Sequence, residues 1–158
     1  MIVHTLARTQ LLDGEPDDVF PFFADAGNLE AITPPLLGFK VTTARPIAMH
    51  AGALIDYRLR VHRVPIGWRT QIESWDPPHT FVDTQLRGPY KLWHHTHTFE
   101  PRGSGQTLMT DTVRYAIGFG LLGRLAHKLF VQKDIEAIFN HRARVIPTLL
   151  ARDNPGTT

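Results

Sequence analysis

Two histidines one residue apart, His95 and His97, are the part of this sequence best suited to chemistry. They lie in an aromatic-bounded run, Trp93-His94-His95-Thr96-His97-Thr98-Phe99, whose composition suits a strand with side chains alternating between two faces. Trp93, His95, His97 and Phe99 then share one face, and the aromatic residues at its ends mark it as the inward one. In the following run Met109, Asp111, Val113 and Tyr115 share a face, which turns a carboxylate inward beside the imidazoles. The preceding run aligns Phe81, Asp83 and Gln85 in the same way, although Val82, Thr84 and Leu86 form an equally apolar alternative.

An imidazole beside a carboxylate is a proton shuttle near neutral pH, so His95, His97 and Asp111 are the candidates for general acid–base work such as cyclisation or dehydration. The same groups could instead satisfy one another as a network that holds strand register, or form the polar end of an apolar pocket and hold a ligand's head group. Each inward polar group needs a partner, because leaving one buried and unpaired costs about 1–3 kcal/mol. His-x-His with Asp111 or Asp83 also has the composition of a zinc site. With nine histidines in the chain so short a pattern arises by chance, and neither metal nor cofactor is expected. Ser74 and Ser104 sit beside turn signals, outside any G-x-S-x-G context. The glycines of Gly118-Phe119-Gly120-Leu121-Leu122-Gly123 lack the Lys-Ser/Thr of a phosphate loop.

The elements that must position these groups read as follows. Residues 2–11 form a first strand ending at Asp13-Gly14, and Glu15-Pro16-Asp17-Asp18 opens a short helix with Phe20, Phe22 and Phe23. A second short helix over 28–33 must stop at Pro34-Pro35. Alternating runs over 39–45, 53–61, 66–75, 80–86, 92–100 and 107–115, separated by turn signals, form an antiparallel meander. From Leu121 the period becomes 3.6, and Leu121, Leu125, Leu129, Ile135, Phe139, Ile146 and Leu150 project onto one face of a long helix reaching about Ala151. Pro147 should kink that helix or begin a new segment, and 152–158 should be a flexible tail. Lys128, Gln132 and Arg142 fall near its apolar face, where their stems pack and their polar heads reach water, or where Arg142 pairs with an inward Asp.

The composition fits one domain: 158 residues, 42% hydrophobic, a length that buries a core without staples. Zero cysteines exclude disulfides, thiolate metal sites and thiol nucleophiles, and agree with a reducing, cytoplasmic setting. The net charge of +2 is spread through interleaved signs, so no specific nucleic-acid partner is expected. No apolar run is long enough to insert into a membrane as a helix.

This order of elements, with Trp68-Arg69-Thr70-Gln71-Ile72, Phe81-Val82-Asp83-Thr84-Gln85, Gly88-Pro89-Tyr90, the Trp93 to Phe99 run, Met109-Thr110-Asp111-Thr112-Val113-Arg114-Tyr115 and Ile138-Phe139-Asn140-His141-Arg142, resembles the START and birch-pollen-allergen (SRPBCC) superfamily, in particular its bacterial ligand-binding proteins. The likeness implies an α+β helix-grip fold over 1–151: a seven-stranded curved antiparallel sheet, two short helices, and a long C-terminal helix over the concave face. It also implies an elongated apolar cavity between sheet and helix, with the 118–123 hinge beside its mouth. Members bind lipids, hormones and polyketides, and some are cyclases. The expected ligand is thus an apolar or amphipathic small molecule held by a monomer or weak homodimer. The residues expected to line the cavity are Asp83, Gln85, Trp93, His95, His97 and Phe99 from two strands. Met109, Asp111 and Tyr115 join them from the last strand, and Leu125, Leu129, Ile135, Phe139 and Arg142 from the helix. An enzyme of the same fold, a cyclase, aromatase or hydrolase, is the alternative.

Overall fold

The computed structural model describes residues 1–153. The strands are β1 (His4–Asp13), β2 (Lys40–Val41), β3 (Leu54–Val61), β4 (Val64–Asp76), β5 (Thr80–Arg87), β6 (Leu92–Arg102) and β7 (Gln106–Ala116). They form one antiparallel sheet in the order β1-β7-β6-β5-β4-β3-β2, so β1 closes beside β7 and the rest follow as a meander. Helices α1 (Pro16–Ala24) and α2 (Asn28–Ala31) lie between β1 and β2. Pro16 at the first turn and the acidic Asp17 and Asp18 suit the positive end of the α1 dipole. The first strand of the meander is shorter than its alternation suggests: only Lys40–Val41 pair with β3, after which Thr42 and Thr43 share the carbonyl of Asp56.

Burial follows the two-residue period closely in the last two strands. His95, His97 and Phe99 of β6 and Thr107, Met109, Asp111, Val113 and Tyr115 of β7 are buried, while His94, Thr96 and Thr112 are half-buried on the other face. In β5 the inward set is Phe81 and Asp83, and Leu86 is exposed. The β3–β4 hairpin turns on His62 and Arg63 alone, both with positive φ, the backbone that matches the twist of a two-residue hairpin.

The C-terminal helix is not one uniform rod. Helix α3 (Gly120–Ala126) passes through a π-helical turn (His127–Val131) into α4 (Gln132–Asp153). The turn inserts extra backbone into the helical ladder, which rotates α3 out of phase with α4. Ile135, Phe139, Ile146 and Leu150 of α4 are buried against the sheet, but Leu121, Leu125 and Leu129 are exposed. The single continuous apolar face expected from the spacing therefore splits at the turn. Helix α4 also runs through Pro147 without starting a new segment and includes Arg152 and Asp153, which the sequence assigned to a flexible tail. The rest of that tail, 154–158, lies outside the described residues. No described helix is long and apolar enough to cross a membrane.

Three apolar clusters divide the interior. Leu12, Phe20, Phe81, Phe99, Met109, Ile146 and Leu150 fill one end solidly. Val113, Tyr115, Ile135 and Phe139 join sheet to α4 at the other end, and Ala26, Ala53, Ile55 and Ile72 pack beneath α2. Between them the sheet curves away from the helix and leaves space.

Candidate functional site

That space is a cavity of about 750 Å³ bounded by β3–β7, α4 and the segment from Phe22 to Phe39. Its walls are mainly apolar, and its floor carries four ionisable groups. Asp83 on β5, His95 and His97 on β6 and Asp111 on β7 come from three adjacent strands. Register sets Asp83 opposite His95, and His97 opposite Asp111. The hydrogen bonds run diagonally: His95 Nε2 lies 2.9 Å from Asp111 Oδ1, and His97 Nε2 lies 2.8 Å from Asp83 Oδ2. His97 Nδ1 is 2.9 Å from Asp111 Oδ1 but off the line of an N–H donor, so that contact is electrostatic and not a hydrogen bond. His95 Nδ1 faces Asp83 at 3.7 Å. The two imidazoles meet with ring centroids 3.7 Å apart and planes tilted by 34°, and Phe81 stacks on His97 at 4.1 Å.

This closed ring drives its members to different protonation states. Burial pushes the Asp111 carboxyl up, but the hydrogen bond from His95, the close contact of His97 and the charge of both hold it well below the usual carboxylate range. Asp83 is likewise lowered against its burial, by the charge of His95 and then by the bond and charge of His97, with a further contribution from Arg142. Burial disfavours a charged His97, yet its close contact with Asp111 and its hydrogen bond to Asp83 raise its pKa to about 9. Burial and the neighbouring His97 lower His95, and the two carboxylates do not compensate. At neutral pH the ring holds two carboxylates, one imidazolium and one neutral imidazole.

Among the described residues, Asp83, His95 and His97 offer ligand atoms within 4.8 Å of one another, the grouping a metal ion would need. Two imidazoles on one tetrahedral zinc, with Zn–N about 2.0–2.1 Å, place their ring centroids about 5 Å apart, further than the 3.7 Å here. The His97–Asp83 hydrogen bond also occupies the donor atoms an ion would need. The geometry is that of two diagonal His–Asp hydrogen bonds linked by two charge contacts.

Residues 3–146 match the family described as polyketide cyclase / dehydrase and lipid transport. The chain belongs to that family. The fold is similar to that of the Zhui aromatase/cyclase from Streptomyces sp. R1128, with TM-score 0.78 at 12% identity over 99% of this chain and 100% of that one. The protein TTHA0849 from Thermus thermophilus is similar at TM-score 0.70 and 15% identity, over 92% and 99% of the two chains. Norcoclaurine synthase from Thalictrum flavum is similar at TM-score 0.64 and 11% identity, over 92% and 87%. No curated protein matches the chain significantly in sequence.

Family membership leaves open which residues face the cavity, and here the structure divides the expected set. Asp83, Trp93, His95, His97, Asp111, Ile135, Phe139 and Arg142 line it. Phe99 and Met109 are inward but belong to the solid end. Tyr115 is buried, and its hydroxyl lies 2.9 Å from His127 Nε2 instead of facing the cavity. Gln85 is spent on the β5–β6 turn, its amide donating to Tyr90 O at 2.8 Å and accepting from Tyr90 N at 3.2 Å. Gly88 permits that clamp, since a Cβ there would collide with the Gln85 amide. Leu125 and Leu129 lie on the surface because the π turn rotates them away. Arg142 forms no ion pair with an inward Asp among the described residues. Its guanidinium sits 5.1 Å over the Phe139 ring, and its buried Nε has no hydrogen-bond partner among them.

The sequence reading missed the opposite wall. Tyr57 on β3 lines the cavity, and its hydroxyl shares Thr70 Oγ1 with the indole N–H of Trp68, at 2.9 and 3.1 Å. Trp68 in turn meets Trp93 edge-on at 5.2 Å and Tyr90 at 5.5 Å. The alternation of Ile55, Tyr57 and Leu59 against Asp56, Arg58 and Arg60 carried that signal. The contribution of Leu29 and Ile32, from the segment before β2, had no periodic signal to find.

Proposed function

We propose that the chain binds an apolar or amphipathic small molecule in the cavity between sheet and α4, as a carrier, sensor or binding module. The observation that supports this most is the combination in one cavity of about 750 Å³ of apolar walls with a polar floor at Asp83, His95, His97 and Asp111. The volume lies within the range of small-molecule sites, and the few polar groups are grouped where they would fix orientation. Arg142 adds a cationic donor whose Nε lacks a partner, which favours a ligand bearing a carbonyl or carboxylate near that end. We place this activity in the cytoplasm, in a monomer or weak homodimer, with no nucleic-acid partner. Native mass spectrometry of gently purified protein tests the reading. A co-purifying apolar molecule, displaced by a fluorescent apolar dye, is the expected result; protein that neither retains a molecule nor binds the dye would remove it.

The divergent protonation of the two histidines favours a second reading, acid–base catalysis. Two neighbouring groups pushed apart in pKa can divide the roles of base and acid. Neutral His95 would take a proton α to a carbonyl, and protonated His97 would deliver one to a departing hydroxyl, giving an enone and water. Turnover of a β-hydroxy ketone to a chromophoric enone, abolished in His95→Ala, is the expected result for this reading; equal rates with the variant would exclude it.

A further inference from the structure

The helix segment between Ile117 and Val131, both of which line the cavity, leaves a run of large apolar side chains exposed. Phe119, Leu121 and Leu122 are 84%, 79% and 76% exposed, and Leu125, Leu129 and Phe130 are also exposed. Within α3 only Gly123 is buried, where a side chain would strike the Gly118 carbonyl. Phe119 holds a left-handed backbone at φ 69 and buries almost nothing, so no internal packing accounts for its aromatic ring. An exposed apolar patch of this extent marks an interaction surface.

Charge decides among its possible occupants. From residue 117 to 133 the sequence has Arg124, Lys128 and Lys133 and no Asp or Glu, and the acidic residue that follows, Asp134, is paired with His62 at 2.8 Å. Across the cavity rim the tip of the β3–β4 hairpin adds exposed Arg60, Arg63 and Val64, and His62 there packs edge-on to Phe130 at 5.9 Å. None of these five cations is in an ion pair among the described residues. A second copy of the chain docked symmetrically on this patch would bring like charges together. An anionic bilayer instead accepts the apolar side chains below its head groups and the flanking cations at its charged surface.

We propose that α3 and the π turn, with the β3–β4 hairpin tip, dock the protein reversibly on an anionic phospholipid bilayer. This places the cavity rim against the membrane, from which an apolar molecule could pass without crossing water. The proposal does not depend on what the cavity holds.

Vesicle flotation of the full chain provides the test. With vesicles of phosphatidylglycerol and phosphatidylcholine the protein should float, with pure phosphatidylcholine it should not, and binding should fall as salt rises. Leu121→Ser with Leu122→Ser should weaken binding at least tenfold. Arg124→Gln with Lys128→Gln should weaken it about 30-fold. Both pairs are on the surface, so melting temperature and dye binding should match the wild type. No flotation with anionic vesicles, flotation unaffected by either pair, or a dimer in solution that the leucine pair dissociates would overturn the proposal.

Discussion

The phenylalanine-rich end of the interior and the His–Asp ring stand next to each other on the same concave face, joined through Phe81, yet they are held by opposite physics. Phe20 meets Phe81 and Phe99 edge-on at 5.8 and 5.2 Å, with Met109 and Ile146 filling the gaps. That end is stabilised by apolar area and close packing, neither of which titrates. The ring is stabilised by two hydrogen bonds and by the charges of Asp83, Asp111 and His97 around a neutral His95, which last only while each group keeps its protonation state. The difference teaches where this chain gives up robustness: the plug secures the fold, and the ring keeps reactive groups at the edge of an open cavity.

The largest effect is expected in the phenylalanine plug. Phe99→Ala removes a ring that is 1% exposed and should cost about 3–5 kcal/mol, equally at pH 6 and pH 9. Urea unfolding at both values measures it, and a strong pH dependence of the loss would show that plug and ring are one coupled unit.

Asp111→Asn attacks the ring and should cost about 3 kcal/mol near pH 6.5, because His97 and His95 lose the carboxylate between them. The loss should shrink as pH rises through about 9, where wild-type His97 itself releases its proton. A constant loss across that range would assign Asp111 a packing role only.

The wild type sharpens the same contrast without mutation. His97 has a raised pKa, so its contribution is complete below pH 6.5 and is lost as pH climbs toward about 9, on the order of 3 kcal/mol in all. His95 is lowered, so its contribution is complete above pH 6.5 and falls below it. The lowered carboxyls of Asp83 and Asp111 contribute above their unfolded values near pH 4 and lose that contribution in stronger acid. Stability should therefore peak near pH 6.5, and a flat profile between pH 5 and 9 would contradict these assignments.

Smaller effects separate structure from binding. His95→Ala should cost about 1–3 kcal/mol through the partner left unpaired. If the ring serves the cavity, the variant should also lose affinity for an apolar carbonyl-bearing dye. A loss of stability with unchanged dye affinity would leave the ring a structural network. Thr96→Ala, on the opposite face of the same strand, should change stability by no more than about 0.5 kcal/mol and leave dye binding alone.

Much of the site was legible because strands impose a strict alternation. Once Trp93 and Phe99 fixed the inward face of β6, His95 and His97 had to follow, and Asp111 followed from Met109 and Tyr115. For β5 the sequence left both faces open, and it is the structure that turns Phe81 and Asp83 inward. The family resemblance, the order of elements and the covering helix were equally present in the chain. Helical periodicity was weaker support: Leu121, Leu125 and Leu129 continue the spacing of Ile135 and Phe139, but one π turn is enough to send them to the surface. Gln85 had the correct face and was still lost to the cavity, because a neighbouring turn offered its amide two partners.

What the sequence determined by itself, then, is which side chains share a face, since that depends only on the local backbone period. Which of them touch, and whether space remains between them, depended on the curvature of the whole sheet. The register shifts between β4 and β5, at Arg69/Thr70 and Ile72/Ser74, change the pairing count across the two strands and let the sheet bend. The cavity opens beside the His–Asp ring, where Phe139 of α4 still packs edge-on to His95 at 5.5 Å. Such a volume is the sum of many small offsets between elements far apart in the chain, and no local pattern of residues encodes it.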